Sequence, residues 1–358
     1  MKMLFRILGW ALAIVAVALV AGWFALRRPD IPFETLEAKY AGEDSQYVEL
    51  SPGLRVRYVE AGPAEAPVLL LAHGYTASLD TWRPWMKELA GDYRVIALDL
   101  PGHGLTRAPD GWQGSPRAYA EVIEQFAAAR KLDRFVLVGQ SMGGFAAWEY
   151  ALAHPERLAG LVLVSASGWP DERPEVKARN ESALSQALRT EAGRAVLKDL
   201  DSSKVMRDGL LAAYGNDALV TDEVVNRYVE MGRAPGHRDI TLDMLAGWES
   251  WSMATAERLA AIRTPTLILH GEADLLVPVD HARKFDDAIP DSRLIVYQGV
   301  GHLPNEEAPA RTAADLKAFL GALKLGEAAP AETPPAKPAE APARLPDVAP
   351  TDPSLIFH

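Results

Sequence analysis

The chain has 358 residues, a formal charge of −11 at pH 7 and 24% charged residues. That length is enough for one large domain with accessories, and the acidic balance argues against a phosphate-binding surface, so no nucleic acid partner is expected and small neutral or apolar substrates stay open. Cysteine is absent, which removes both a disulfide framework and a thiolate nucleophile.

The chain opens with "MKMLFRILGWALAIVAVALVAGWFALRRPD", uncharged over residues 7–26, which matches the ~20 residues that cross a bilayer as a helix. Residues 1–28 are therefore read as a single-pass anchor. A cleaved signal peptide is the rival, with "AVA" at 16–18 as its cleavage site, but the apolar run continues past that site and exceeds an h-region of roughly 7 to 15 residues. Lys2 and Arg6 precede the span and Arg27 and Arg28 follow it, so charge barely orients it. The expectation is the inner (plasma) membrane, with a cytoplasmic N-terminus and an exported body, or a secreted body if the segment is cleaved.

Short apolar, β-branched runs then follow at 47–50, 54–62, 67–74, 93–99, 134–140, 160–167, 265–271 and 293–299, bounded by glycine, proline or aspartate, and they read as strands. Helical patterns cover 115–131, 142–154, 280–288 and 308–323. Unbroken apolar strands imply burial on both faces, hence an α/β class with a mostly parallel sheet flanked by helices. Only Ser51, Pro52 and Gly53 separate the first two strands, which suits an antiparallel pair. The alternation stops over 168–259, where the pattern is helical and amphipathic, as in "SALSQALRTEAGRAVLKDL" and "LDMLAGWESW". The expected organisation is a core of 29–167 and 260–325, a helical insertion at 168–259 and a tail at 326–358. The tail is rich in alanine and proline and too poor in large apolar groups to offset its ordering entropy, so it is expected to be disordered.

One turn stands out. In "LVGQSMGGFAAW" a strand ends at Gly139 and a helix begins at Met142, with Gln140 and Ser141 between. The glycines permit close strand–helix packing, Ser141 is pushed out at the strand tip, and the helix N-terminus and the Met142 amide favour negative charge there. With Gly and Ser each at about 7% of residues, G-x-S-x-G arises by chance in roughly one chain in ten of this length, so the placement at a strand-to-helix turn carries the argument. A serine nucleophile needs a base, and the base needs a third group to fix its tautomer. His302, in "QGVGHLPNEE", and Asp274, in "GEADLLVP", each follow a strand end on the same sheet edge, and the order Ser, Asp, His is that of α/β-hydrolases.

From about Tyr47 to Leu323 the chain resembles an α/β-hydrolase of the lipase, esterase and C–C-bond hydrolase group. The segments that carry it are "AHGYTASLDTW", "DLPGHGLT", "GQSMGG", "GEADLLVP" and "GHLPNEE", in that order. The resemblance implies an eight-stranded sheet with a helical cap, and an oxyanion hole made by the backbone amides of Tyr75 and Met142. Such donors contribute roughly 3 kcal/mol each. It also assigns His103 and His73 to loop shaping. His154 lies at the far end of its helix, His270 reads as a strand-end residue, and His237 and His281 are expected to be exposed. Asp99 and Asp280 compete with Asp274, with Asp280 better explained as a helix N-cap and Glu272 held in reserve.

The activity expected is carboxylic ester hydrolysis through an acyl-enzyme on Ser141, on short to medium acyl chains. Trp169, Met244, Trp248 and Trp251 are candidate pocket walls, with ordinary packing as the competing explanation. A C–C-bond hydrolase, an acyltransferase and a non-catalytic, membrane-tethered ligand-binding module are the alternatives. Serine where dehalogenases and epoxide hydrolases of this fold carry aspartate argues against both. No metal-ligand spacing, Walker A loop or dinucleotide fingerprint occurs, so no cofactor is expected.

Overall fold

The computed structural model describes residues 2–323 and 325. Helix α1 (Lys2–Leu26) and helix α2 (Phe33–Tyr40) come first. Strands β1 (Gln46–Ser51) and β2 (Leu54–Ala61) then form the expected antiparallel pair, turned at Pro52 and Gly53, whose φ of 81° favours glycine. After β3 (Val68–Ala72), α3 (Arg83–Leu89) leads to β4 (Arg94–Leu98), and α4 (Pro116–Ala129) leads to β5 (Phe135–Gln140). Helix α5 (Met142–Ala153) follows, then β6 (Leu158–Val164).

With β7 (Thr266–Gly271) and β8 (Ser292–Tyr297) the eight strands make one sheet in the order β1-β2-β4-β3-β5-β6-β7-β8, and only β2 runs against the rest. Side-chain alternation explains why the strands are apolar throughout. Leu70 and Ala72 of β3 face a cluster with Phe126, Phe145 and Phe285, while Leu69 and Leu71 face a second with Trp82, Trp85 and Leu316. The chain passes from β3 outward to β4, then crosses back to β5 on the other side of β3. The strand order thus reverses between β3 and β5, and open α/β sheets place their ligand crevice at such a point.

Between β6 and β7 (Thr266–Gly271) the described residues form helices only: α6 (Pro174–Asn180), α7 (Ala183–Leu188), α8 (Glu191–Leu197) and α9 (Ser203–Ala213), then α10 (Asp222–Gly232), α11 (His237–Gly247) and α12 (Ala256–Leu259). Side-chain caps at Ser182, Thr190, Thr221 and Thr255 start four of them. Helix α13 (Val279–Ala288), β8 (Ser292–Tyr297), α14 (Pro304–Glu307) and α15 (Pro309–Ala322) complete the fold. The segment 326–358, expected to be unstructured, lies outside the described residues.

Helix α1 buries none of its side chains, and one helix of this length and hydropathy is compatible with either a membrane span or a signal sequence. Its C-terminal end is fastened to the helical segment after β6. The Trp23 indole donates to Val196 O at 2.9 Å, Arg27 pairs with Asp199 at 2.9 Å, and the Asp201 amide donates to Leu26 O at 3.0 Å.

Candidate active site

Ser141 sits at the tip of β5 with φ 52° and ψ −113°, a conformation that costs a non-glycine residue free energy. Backbone bonds hold it there: its amide donates to Val164 O at 3.0 Å, and its carbonyl accepts from Phe145 at 3.0 Å and Ser167 at 3.1 Å. The neighbouring glycines are required by contact. A β-carbon on Gly139 would lie 2.2 Å from Gly143 O, and one on Gly143 would lie 2.3 Å from Ala72 O.

Asp274 and His302 stand in the loops that follow β7 and β8. The His302 Nδ1 and Asp274 Oδ2 are 2.7 Å apart, and both side chains are buried. Asp274 Oδ1 accepts from the Leu276 and Val277 amides at 2.9 and 2.8 Å, so the acid loop caps itself. Burial pushes the Asp274 carboxyl up, but the His302 and His270 rings more than offset this and hold it well below the usual carboxylate range. An ionised Asp274 fixes the His302 proton on Nδ1 and leaves Nε2 as the basic nitrogen. Among the described residues no hydrogen bond links the Ser141 hydroxyl to His302, and such bonds commonly tighten only on substrate binding.

Gln140, which the sequence analysis passed over, ties these parts together. Its buried amide donates to His302 O at 3.1 Å. It also abuts the loop after β3, where a β-carbon on Gly74 would lie 2.2 Å from Gln140 Oε1 and 3.1 Å from Ser141 Cβ. The Tyr75 and Met142 amides donate to no acceptor among the described residues. They are therefore available to bind an oxygen that becomes negative, the requirement of an oxyanion hole. Helix α11 lies above this loop and the loop after β4: the Tyr75 hydroxyl donates to Thr241 O at 2.9 Å, and a β-carbon on Gly102 would meet Ile240 at 2.6 Å.

The competing acids and histidines fall into other roles. Asp99 accepts from the Leu79 and Leu105 amides at 2.7 and 2.8 Å and pairs with the buried Arg57 guanidinium at 3.2 Å, which shapes the two loops flanking the site. His73 Nε2 accepts from Leu100 at 3.0 Å, leaving Nδ1–H to face Gly74 O at 2.8 Å. His103 is buried with Nδ1 on Pro101 O at 3.0 Å, and burial pushes its imidazole well below the usual histidine range. His154 caps the end of α5 and packs on Tyr150. Glu272 is exposed.

Three expectations need correction. His237 is buried, not exposed, because its ring nitrogens face Met231 O and Thr106 O at 3.0 Å each, bridging the helical segment to the loop after β4. His281 is also buried, and that burial pushes its imidazole down to about 4. Asp280 is not the N-cap of α13: Pro278 occupies that position, and Asp280 sits exposed in the first turn beside Arg283. Its charge still suits the helix dipole there.

The four candidate wall residues make packing contacts. Trp248 and Trp251 meet Phe145, one turn after Ser141, with ring centroids 6.2 and 6.0 Å away. Trp169 packs on Phe285, and Met244 receives the Tyr119 hydroxyl at 2.9 Å. Sequence reasoning also missed Glu307, whose carboxylate accepts from Gly301 at 3.0 Å and Gly215 at 2.8 Å and so clamps the His302 loop to the end of α9. The acidic pair in "NEE" was its only signal.

Comparison with known proteins agrees with this fold. The sequence model of the alpha/beta hydrolase fold family matches residues 67–309, and the chain belongs to that family. It is 31% identical over 276 residues to a dihydrolipoyllysine-residue acetyltransferase component of an acetoin cleaving system from Cupriavidus necator, covering 75% of this chain and 67% of the relative. It is 30% identical over 290 residues to a 2-hydroxy-6-oxo-6-(2'-aminophenyl)hexa-2,4-dienoic acid hydrolase from Metapseudomonas resinovorans, covering 77% and 92%. Among solved structures it is similar to a membrane phospholipase A described as a bacterial virulence factor, with TM-score 0.66 and 26% identity over 90% of this chain and 98% of that one.

Proposed function

We propose that the protein is a membrane-anchored serine hydrolase that cleaves carboxylic esters, with Ser141, His302 and Asp274 as its triad and the Tyr75 and Met142 amides as its oxyanion hole. The observation that carries this reading is the 2.7 Å Asp274–His302 hydrogen bond, on the sheet edge where a strained turn presents Ser141. Ser141 Oγ attacks the ester carbonyl while its proton passes to His302 Nε2. The leaving alcohol takes that proton as the C–O bond breaks. Water then attacks the acyl-enzyme, again giving a proton to His302, which returns it to Ser141 as the carboxylic acid departs. Asp274 orients the ring and balances the charge of the imidazolium. Residues 168–259 act as a cap over the site.

The exposed, apolar α1 and the likeness to a membrane phospholipase support anchoring to a membrane, which this reading takes as the inner membrane with the catalytic body exported. They favour lipidic esters presented near the bilayer. The resemblance to the dienoic acid hydrolase favours a second reading, in which the same triad breaks a C–C bond next to a ketone.

Hydrolysis of p-nitrophenyl esters from acetate to palmitate by the full chain in detergent, with Ser141→Ala as control, tests the proposal. Turnover that disappears in the variant upholds ester hydrolysis. Inert wild type combined with cleavage of a 2-hydroxy-6-oxodienoate moves the C–C reading ahead. Preferential transfer to added methanol indicates an acyltransferase, and inertness throughout indicates a binding module.

A further inference from the structure

We propose that His270 is a positioning residue for the base: its ring N–H stands beside Asp274 Oδ2, the atom that faces His302, and limits how strongly the carboxylate holds the protonated imidazole. The inference rests on the triad reading above. His270 lies in β7, fully buried, opposite Val296 of β8. Its Nε2 faces Val277 O at 2.9 Å in a hydrogen bond and stands 3.2 Å from Asp274 Oδ2. Both are acceptors, so Nε2 carries the proton. The other nitrogen, Nδ1, is buried with no partner among the described residues, and a second proton placed there would have no acceptor.

The consequence follows from counting donors. Asp274 Oδ1 is occupied by two amides of its own loop, which leaves Oδ2 as the atom that faces His302. The His270 Nε2–H donates to Val277 O and stands 3.2 Å from Oδ2, so its positive end lies beside that oxygen and lowers its basicity toward His302. His302 must accept the serine proton and then release it to the leaving group, so a carboxylate with too few donors would retain the imidazolium. The remaining charged groups nearby stand on other elements. Arg173 lies ahead of α6 and is pinned to Asp171 at 2.7 Å and to Leu276 O at 3.0 Å. Glu307 on α14 is engaged with amides, and His281 on α13 lies within electrostatic reach of His270 and Asp171. Among the described residues, His270 and His302 are the side chains within hydrogen-bond distance of the Asp274 carboxylate.

The test is the pH dependence of Ser141 phosphonylation by a fluorophosphonate, using the full chain in detergent, which reports activation of the serine whatever the natural substrate. His270→Phe removes the donor, and its acidic limb is expected about half a pH unit or more above that of wild type. His270→Gln, whose amide reaches as far as Nε2, is expected to restore the limb. His270→Asn, whose amide is too short, should behave like the phenylalanine variant and serves if that one does not fold. Histidine-selective 15N NMR of the wild type is expected to show the Nε2–H tautomer at His270. An unmoved limb, a glutamine variant indistinguishable from phenylalanine, or an Nδ1–H tautomer overturns the proposal. Wild type that is not labelled at Ser141 overturns the triad reading itself, and this inference with it.

Discussion

The sheet edge and the helical segment between β6 and β7 surround the same site but are built by different forces. At the edge, each reactive group hangs from a strand end in a turn closed by backbone hydrogen bonds, as at Ser141 and in the Asp274 loop. The helical segment is held mainly through side chains: Trp248 and Trp251 on Phe145, His237 on Thr106 O, and Arg258 on Glu149 at 2.8 Å. Backbone-defined turns hold reacting atoms within tenths of an ångström, whereas side-chain packing tolerates exchange. On the proposed triad, chemistry belongs to the edge and substrate choice to the helices. The exception is the end of α9, where the His302 amide donates to Ala213 O at 2.6 Å and the segment becomes part of the edge.

Substitutions can break this division or sharpen it. The largest effect is expected from Ser141→Ala, a fall in kcat of about 10⁶-fold, with Asp274→Asn costing about 10⁴-fold through the wrong His302 tautomer. Steady-state kinetics on the best ester checks both, and a comparable loss from a residue in the helical segment would break the division. Next comes Gly74→Ala, whose β-carbon would collide with Gln140 and displace the loop bearing the Tyr75 amide. A displacement of this kind is expected to cost on the order of 10²-fold in kcat, with KM changed far less. Gly215→Ala tests the exceptional corner. Its β-carbon would lie 2.7 Å from Gly299 O and 2.8 Å from Gly301 N, and pushing the His302 loop should lower kcat about tenfold. A change confined to KM would return that corner to the substrate-binding side.

Trp248→Ala should leave short esters within about threefold of wild type while moving the preferred acyl length, because hydrophobic pocket contacts change discrimination by only ~1–3 kcal/mol. The smallest effect concerns stability. His281 has its folded-state value pushed down to about 4 by burial, against ~6.5 in the unfolded chain. The folded state therefore binds fewer protons, and stability present above pH 6.5 is lost as pH falls toward 4. Urea melts across that window should flatten in His281→Phe. An unchanged slope would show that the ring reaches water.

Ser141, Asp274 and His302 were legible because each sits in a short pattern whose physics is local: a glycine-flanked turn, or a polar residue just past an apolar strand. The strands were legible for the same reason. Gln140 and His270 sat inside those motifs and still escaped, since their partners, His302 O and Asp274 Oδ2, come from loops or turns whose approach depends on the folded sheet. His237 and His281 were misread because a histidine in an amphipathic helix looks solvent-facing until the surface it meets is known.

By itself the sequence determined the α/β architecture and the sheet edge that carries the candidate triad, because strand periodicity, turn chemistry and glycine contacts act over a few residues. Only the tertiary structure decided which carboxylate meets His302, that Asp99 instead clamps two loops, and that His270 also reaches Asp274. It alone fastened the end of α9 to the His302 loop. Those outcomes depend on distances of about 3 Å between loops far apart in the chain, and hydrogen bonds are decided by such distances rather than by composition.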